Sequence, residues 1–190
     1  MPTKLGYTKL IGGSSATREL LKLCQVTPDK TGLNVGCGAN TTTTYIVENF
    51  GCNVVGVDIK ENMGESAINW SKRKGLVDQT EFRFAGAQDL PFENDFFDNL
   101  IFESINIFVH KKKVKAFTEY KRVVKLGGAI GLNEPILTKA PPPNAAELLA
   151  DYVGHDILPA SNWLGSMEKI GLSELTSKEY PVETRKESRS

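Results

Sequence analysis

The sequence predicts an open, doubly wound α/β fold, a mostly parallel sheet with helices on both faces. Three observations carry that prediction. Short apolar runs alternate with helical patterns between residues 15 and 135. The helical stretches are long enough to serve as right-handed crossovers between parallel neighbours. A glycine pair, Gly36 and Gly38, stands where the first apolar run gives way to a helical pattern, and an acid, Asp58, closes the second run.

Five strands are expected: Thr31–Val35, Asn53–Asp58, Thr80–Ala85, Asn99–Glu103 and Ala129–Asn133. The helix before the first strand spans Ser15–Val26 and carries Leu20, Leu23 and Cys24 on one side. Thr41–Phe50, Glu61–Lys74 and Lys112–Lys125 are the next helices, the last with Val114, Phe117, Tyr120 and Val124 on one stripe. Beyond Pro135 the run KAPPPN at 139–144 ends regular structure, because consecutive prolines fix φ and remove donors. Two helices are expected after it, Ala145–Val153 and Ser161–Ile170, the second with Ser161 or Asn162 as N-cap and Gly171 as its stop. Leu172–Val182 reads as a last strand, and 183–190 is too polar to pack.

The chain has 190 residues, which suits a single domain over 1–190 with an arm at 1–14, substrate-side helices within 136–170 and a flexible tail at 183–190. Its 23 basic and 23 acidic residues cancel, and a protein that binds nucleic acid in bulk carries a basic excess instead. Three cysteines form no CxxC pair, so neither a disulfide framework nor a metal site is expected. No apolar run approaches the ~20 residues of a transmembrane helix. A cytoplasmic setting is the default expectation.

The stretch Leu33-Asn34-Val35-Gly36-Cys37-Gly38-Ala39-Asn40 is the most informative. Glycines at a strand-to-helix turn let a ligand approach the main chain, and the N–H groups of the helix start face it. Asp58 follows Gly38 by 20 residues, at the carboxyl end of the second strand. An acid there accepts hydrogen bonds from a ribose hydroxyl pair. Together they predict an adenosine-containing cofactor across the carboxyl edge of the sheet.

Four segments in order, LNVGCGAN, VVGVDIKENM, FRFAGAQDLPFENDFFDNLIFESI and EYKRVVKLGGAIGLNEP, resemble the successive motifs of the class I S-adenosylmethionine-dependent methyltransferases. The similarity covers about residues 10–175 and is nearest to the small-molecule group of the ubiquinone/menaquinone-biosynthesis type. It implies a Rossmann-like fold, S-adenosyl-L-methionine as cofactor with S-adenosyl-L-homocysteine as product, and a small-molecule acceptor. It also implies that Asn34, Gly36, Cys37 and Gly38 form the loop receiving the methionine half. Asp58 would take the ribose, Ile59 and Met63 one side of the adenine, and Ala87 and Gln88 the other, with Glu103 and Ser104 at the floor beneath the sulfonium.

Three positions depart from the family pattern: Asn34 where an Asp is usual, Asn40 where a glycine is, and Gly86 where an acid is. Each loss weakens cofactor binding by about 1 kcal/mol, the net value of a hydrogen bond. Methyl transfer needs a general base only when the acceptor enters protonated. Glu103 and Glu134 stand at the carboxyl ends of strands four and five, where ligands of open α/β sheets bind, and Glu103 is a catalytic candidate. His155 is the other, since an imidazole titrates near neutrality. Two competing readings stay open: a nicotinamide-dependent oxidoreductase, which wants a third glycine where Thr41 stands, and a methyltransferase-like protein without catalysis. After Gly171 there is chain for one strand only, where the family closes the sheet with an antiparallel strand between the fifth and sixth: either the sixth strand pairs directly with the fifth, or the chain is truncated, or a partner, as in a homodimer, covers the exposed edge.

Overall fold

The structure, a computed structural model, describes residues 13–39, 41–103, 113–136 and 159–180. The elements are α1 (Gly13–Leu23), β1 (Thr31–Val35), α2 (Thr41–Phe50), β2 (Asn53–Asp58) and α3 (Glu61–Lys74). Then come β3 (Thr80–Phe84), β4 (Phe97–Glu103), α4 (Lys113–Val123), β5 (Val124–Asn133) and α5 (Ala160–Lys169). The five strands form one sheet in the order β3-β2-β1-β4-β5, and every pairing is parallel. The doubly wound expectation is met, with no antiparallel strand in the sheet among the described residues.

Strand parity sorts the side chains between two cores. Leu33, Val35, Val55, Val57, Leu100 and Phe102 point to one face, under α4 and α5. There Tyr120 and Phe117 lie 5.0 and 6.0 Å from the Phe102 ring, and Trp163 of α5 meets Phe117 at 6.4 Å. The alternate residues Val54 and Ile101 point to the other face, against Leu21 and Cys24 of α1 and Ile46 and Val47 of α2. Asn34, Glu103 and Asn133 share the parity of this second face. Their polar side chains are therefore carried under α1 and α2.

Several expected boundaries are corrected. The buried face of α1 carries Leu21 and Cys24, while Leu23 is exposed. The fourth helix stops at Val123, and β5 starts directly at Val124 rather than at Ala129. The cause is local: Gly127 adopts φ +78°, and a Cβ on Gly128 would sit 2.7 Å from the Asp98 carbonyl, so the chain bulges where the β4–β5 register shifts. Val114 falls in the first turn of α4 and is exposed, off the expected stripe. The last helix begins after Pro159 with no side-chain cap, so neither Ser161 nor Asn162 is its N-cap. Gly171, at φ +77°, does end it, with its N–H on the Glu168 carbonyl and that of Leu172 on the Met167 carbonyl.

The expected strand over Leu172–Val182 is not formed across residues 172–180. Glu174 adopts a left-handed φ of +56°, which interrupts an extended run. Leu172 and Leu175 pack on the α4/α5 core instead, and Lys178 and Tyr180 then hydrogen-bond to Glu19 of α1, which packs on the opposite face. The segment thus passes as an irregular strap from one face to the other. The expected helix at 145–153 lies outside the described residues.

Candidate functional site

At the carboxyl ends of β1 and β2 the chain closes a compact lock. Gly36 and Gly38 adopt φ +69° and +50°, a region costly for residues with a Cβ. That turn lets the N–H groups of Gly36 and Cys37 both donate to the Val57 carbonyl, at 2.8 and 3.0 Å. The Gly38 N–H donates to Asp58 Oδ2 at 2.9 Å, and Lys60 N–H to Oδ1 at 3.0 Å. These three loop amides are therefore spent on β2. Asp58 keeps acceptor capacity, because an ionised carboxylate offers about four lone-pair sites.

The main chain is open beside the lock. No heavy atom lies within 4 Å of a Cβ built on Gly38 or on Gly86, so the main chain is approachable at both. Ile59 is 67% exposed, an apolar side chain left at the rim instead of in the core. Met63 is half-buried one turn into α3. Phe84, paired in register with Asp58, is also exposed at the end of β3, and the sequence reading missed it. Ala87 is buried and Gln88 half-buried in the turn after β3, closed by the Asp89 N–H on the Gly86 carbonyl at 3.0 Å.

Asn34 and Cys37 stand beneath the loop, not in its open side. Asn34 is 2% exposed and its amide donates to Thr43 Oγ1 at 2.9 Å, tying β1 to α2. Cys37 is buried, and burial first, then the Asp58 charge, pushes its thiol well above the ordinary cysteine value. Burial likewise pushes Cys24 up to about 12 and Cys52 up to about 11, so none of the three supplies a thiolate near neutrality.

Glu103 is the hub of the α1/α2 side. Its Oε1 accepts from Thr17 Oγ1 at 2.8 Å and from Asn133 Nδ2 at 3.0 Å, and its Oε2 accepts from Thr42 Oγ1 at 3.0 Å. One carboxylate thereby joins α1, α2, β4 and β5. Thr17, Thr42 and Asn133 were not foreseen. The available signal was the run Thr41–Thr44 on a helix that must face a sheet: Thr42 binds Glu103, Thr43 accepts from Asn34, and Thr44 accepts from Trp70 Nε1 at 3.1 Å. Ser104, Asn40 and His155 lie outside the described residues. Among the described residues no group of three His, Cys, Asp or Glu side chains is placed to hold a metal.

Residues 33–128 match the methyltransferase domain family. This chain belongs to that family. An uncharacterized protein of Haemophilus influenzae is 30% identical over 172 residues, covering 88% of this chain and 68% of the relative. Methyltransferase GfsG of Streptomyces halstedii is 24% identical over 178 residues, covering 91% of this chain and 63% of its own length. The crystal structure of a geranyl diphosphate C-methyltransferase from Streptomyces coelicolor, in complex with Mg2+, geranyl diphosphate and S-adenosyl-L-homocysteine, superposes with TM-score 0.74 at 18% identity, covering 82% of this chain and 59% of that one. The family is that of class I S-adenosylmethionine-dependent methyltransferases, with S-adenosyl-L-methionine as the cofactor. A hydride-transferring oxidoreductase is set aside by this membership.

Proposed function

We propose that this methyltransferase domain moves the methyl group of S-adenosyl-L-methionine onto a small organic acceptor. The observation that carries the reading is the lock at the carboxyl edge: a left-handed Gly36–Gly38 turn bound to an Asp58 carboxylate with acceptor capacity to spare, beside open main chain at Gly38. In this reading Gly36 and Gly38 border the methionine half, supported from below by Asn34 and Cys37. Asp58 takes the ribose, and Ile59, Met63, Ala87 and Gln88 border the adenine. Bound there, the cofactor supplies an electrophilic methyl on a sulfonium, and S-adenosyl-L-homocysteine is the product.

The chain's own contribution is alignment and exclusion of water. Glu103 acts by position, because its three hydrogen bonds fix α1 and α2 around the site floor. His155 is proposed as the proton acceptor when the nucleophile enters protonated. The geranyl diphosphate bound by the Streptomyces enzyme supports a small-molecule acceptor as a class. We place this domain in the cytoplasm and infer that it self-associates as a homodimer. The balanced charge supports the absence of a bulk nucleic-acid partner.

The test is incubation with methyl-tritiated cofactor and a panel of small amines, phenols, thiols and prenyl diphosphates, followed by chromatography of the labelled product. Transfer to one class supports the reading. Binding of S-adenosyl-L-homocysteine with no transfer to any class favours the non-catalytic alternative, to which the departures at Asn34, Asn40 and Gly86 point.

A further inference from the structure

The turn that borders the proposed adenine site is held by a side-chain pair to which no role has been given. Its first end is tied to the ribose-side acid's own strand, with the Ala85 N–H on the Asp58 carbonyl at 3.0 Å. The other end is gripped from α4. Glu119 Oε2 accepts from the Leu90 N–H at 2.9 Å, and Arg122 Nη2 donates to the Leu90 carbonyl at 2.9 Å. Arg122 Nη1 donates to the Phe92 carbonyl at 2.7 Å and to Asn94 Oδ1 at 3.1 Å. The remaining guanidinium hydrogens close a two-pronged pair with Glu119, Nε to Oε1 at 2.8 Å and Nη2 to Oε2 at 2.7 Å. A guanidinium has five N–H donors, and here each has an acceptor.

This investment coincides with a missing side chain. Gly86 carries no acid to read a purine, yet its backbone does not demand glycine. It is not among the positive-φ residues, and a Cβ there would meet nothing within 4 Å. Recognition at this turn therefore falls to the main chain of residues 86–88 and to the Gln88 amide. Main-chain recognition is only as selective as the loop is fixed. We propose that Glu119 and Arg122 are positioning residues for the adenine side of the site, presetting the 86–89 turn so that its backbone discriminates the purine. The proposal rests on the cofactor reading above.

Arg122→Lys removes the planar fork while keeping the charge, a change that is not conservative at a two-pronged site. Calorimetric titration of folded wild type, Arg122→Lys and Glu119→Gln with S-adenosylhomocysteine and with S-inosylhomocysteine, which replaces the 6-amino group by oxygen, reads the effect. Wild type is expected to prefer the adenosyl compound. Both variants are expected to lose about tenfold in its affinity, the worth of one well-placed hydrogen bond, while the inosyl compound changes little, so that the ratio falls toward one. Lys121→Met, next to Arg122 on α4, breaks a bond to the Ile170 carbonyl at the end of α5, not to the turn, and should leave the ratio unchanged. Adding Gly86→Asp to Arg122→Lys should restore the preference by supplying a side-chain acceptor. An unchanged ratio in either folded variant overturns the proposal, since a pair that merely holds the fold lowers thermal stability without altering discrimination. A wild type that binds neither compound overturns the cofactor reading itself, and that result is visible before any variant is made.

Discussion

Replacing Glu103 separates a structural carboxylate from a catalytic one. Glu103→Ala removes the acceptors of Thr17, Thr42 and Asn133, bonds of 2.8, 3.0 and 3.0 Å, at a part-buried site where the Thr17 side chain has no exposure to water. At about 1 kcal/mol net for each bond, the loss is about 3 kcal/mol. For a chain of this size each kcal/mol moves the midpoint by about 2–4 °C, so Glu103→Ala should unfold ~6–12 °C below wild type. Glu103→Gln keeps an oxygen for Thr17 and Asn133 and loses only the acceptor of Thr42. Its shift should be about a third of that, by the same net value per bond. Scanning calorimetry at pH 7 reads both variants. Equal midpoints for the two, or Glu103→Ala within the noise of wild type, would refute the bracket assignment. Turnover adds a second readout: a general base lost to Gln costs about 10²–10⁴-fold, whereas a bracket retains activity within about tenfold.

Gly131 lies under α1, where a Cβ would stand 2.5 Å from Cys24 Sγ and about 3 Å from Ile101 and Leu20. Gly131→Ala should therefore cost ~1–3 kcal/mol in urea unfolding by overpacking, while Gly86→Ala, with open space, should be near neutral. A neutral Gly131→Ala contradicts the packing of α1 on β5. Glu119 is held below its ordinary value of 4.5, chiefly by the Arg122 hydrogen bonds. A depressed folded-state value means that its contribution is present above pH 4.5 and is lost as pH falls through the lower value. The stability gap between wild type and Glu119→Gln should accordingly stay constant from neutrality to about pH 5 and close in stronger acid, as pH-dependent urea midpoints would record.

Much of the frame was legible because local signals agreed. β1, β2, α2 and α3 run as expected: apolar pairs such as Val54-Val55 mark strands buried on both faces, and Gly51 and Gly75 stop the helices before them with left-handed φ. Legibility failed where distant residues decide. The α4–β5 junction depends on Gly128 fitting against the Asp98 carbonyl, which no window of sequence displays. Residues 172–180 alternate plausibly for a strand, but Glu19, 159 residues away from Lys178, draws them onto α1. At the site, the glycine turn and Asp58 were readable from spacing, whereas the Thr17–Glu103 bond joins residues 86 apart. Asn34 was read as a weakened ligand group, and its burial against Thr43 makes it a bracket between β1 and α2.

Calorimetric titration with S-adenosyl-L-methionine and S-adenosyl-L-homocysteine, on wild type and Asp58→Ala, shows whether the Gly36–Gly38 turn and Asp58 form a working cofactor site. Asp58→Ala deletes the acceptor of the Gly38 and Lys60 N–H groups along with the proposed ribose acceptor. Wild type is expected to bind one-to-one in the micromolar range, and the folded variant to lose about a hundredfold or more, equivalent to roughly two hydrogen bonds to a charged acceptor. Folded wild type with no heat of binding, or an affinity that Asp58→Ala leaves unchanged, would contradict the cofactor site.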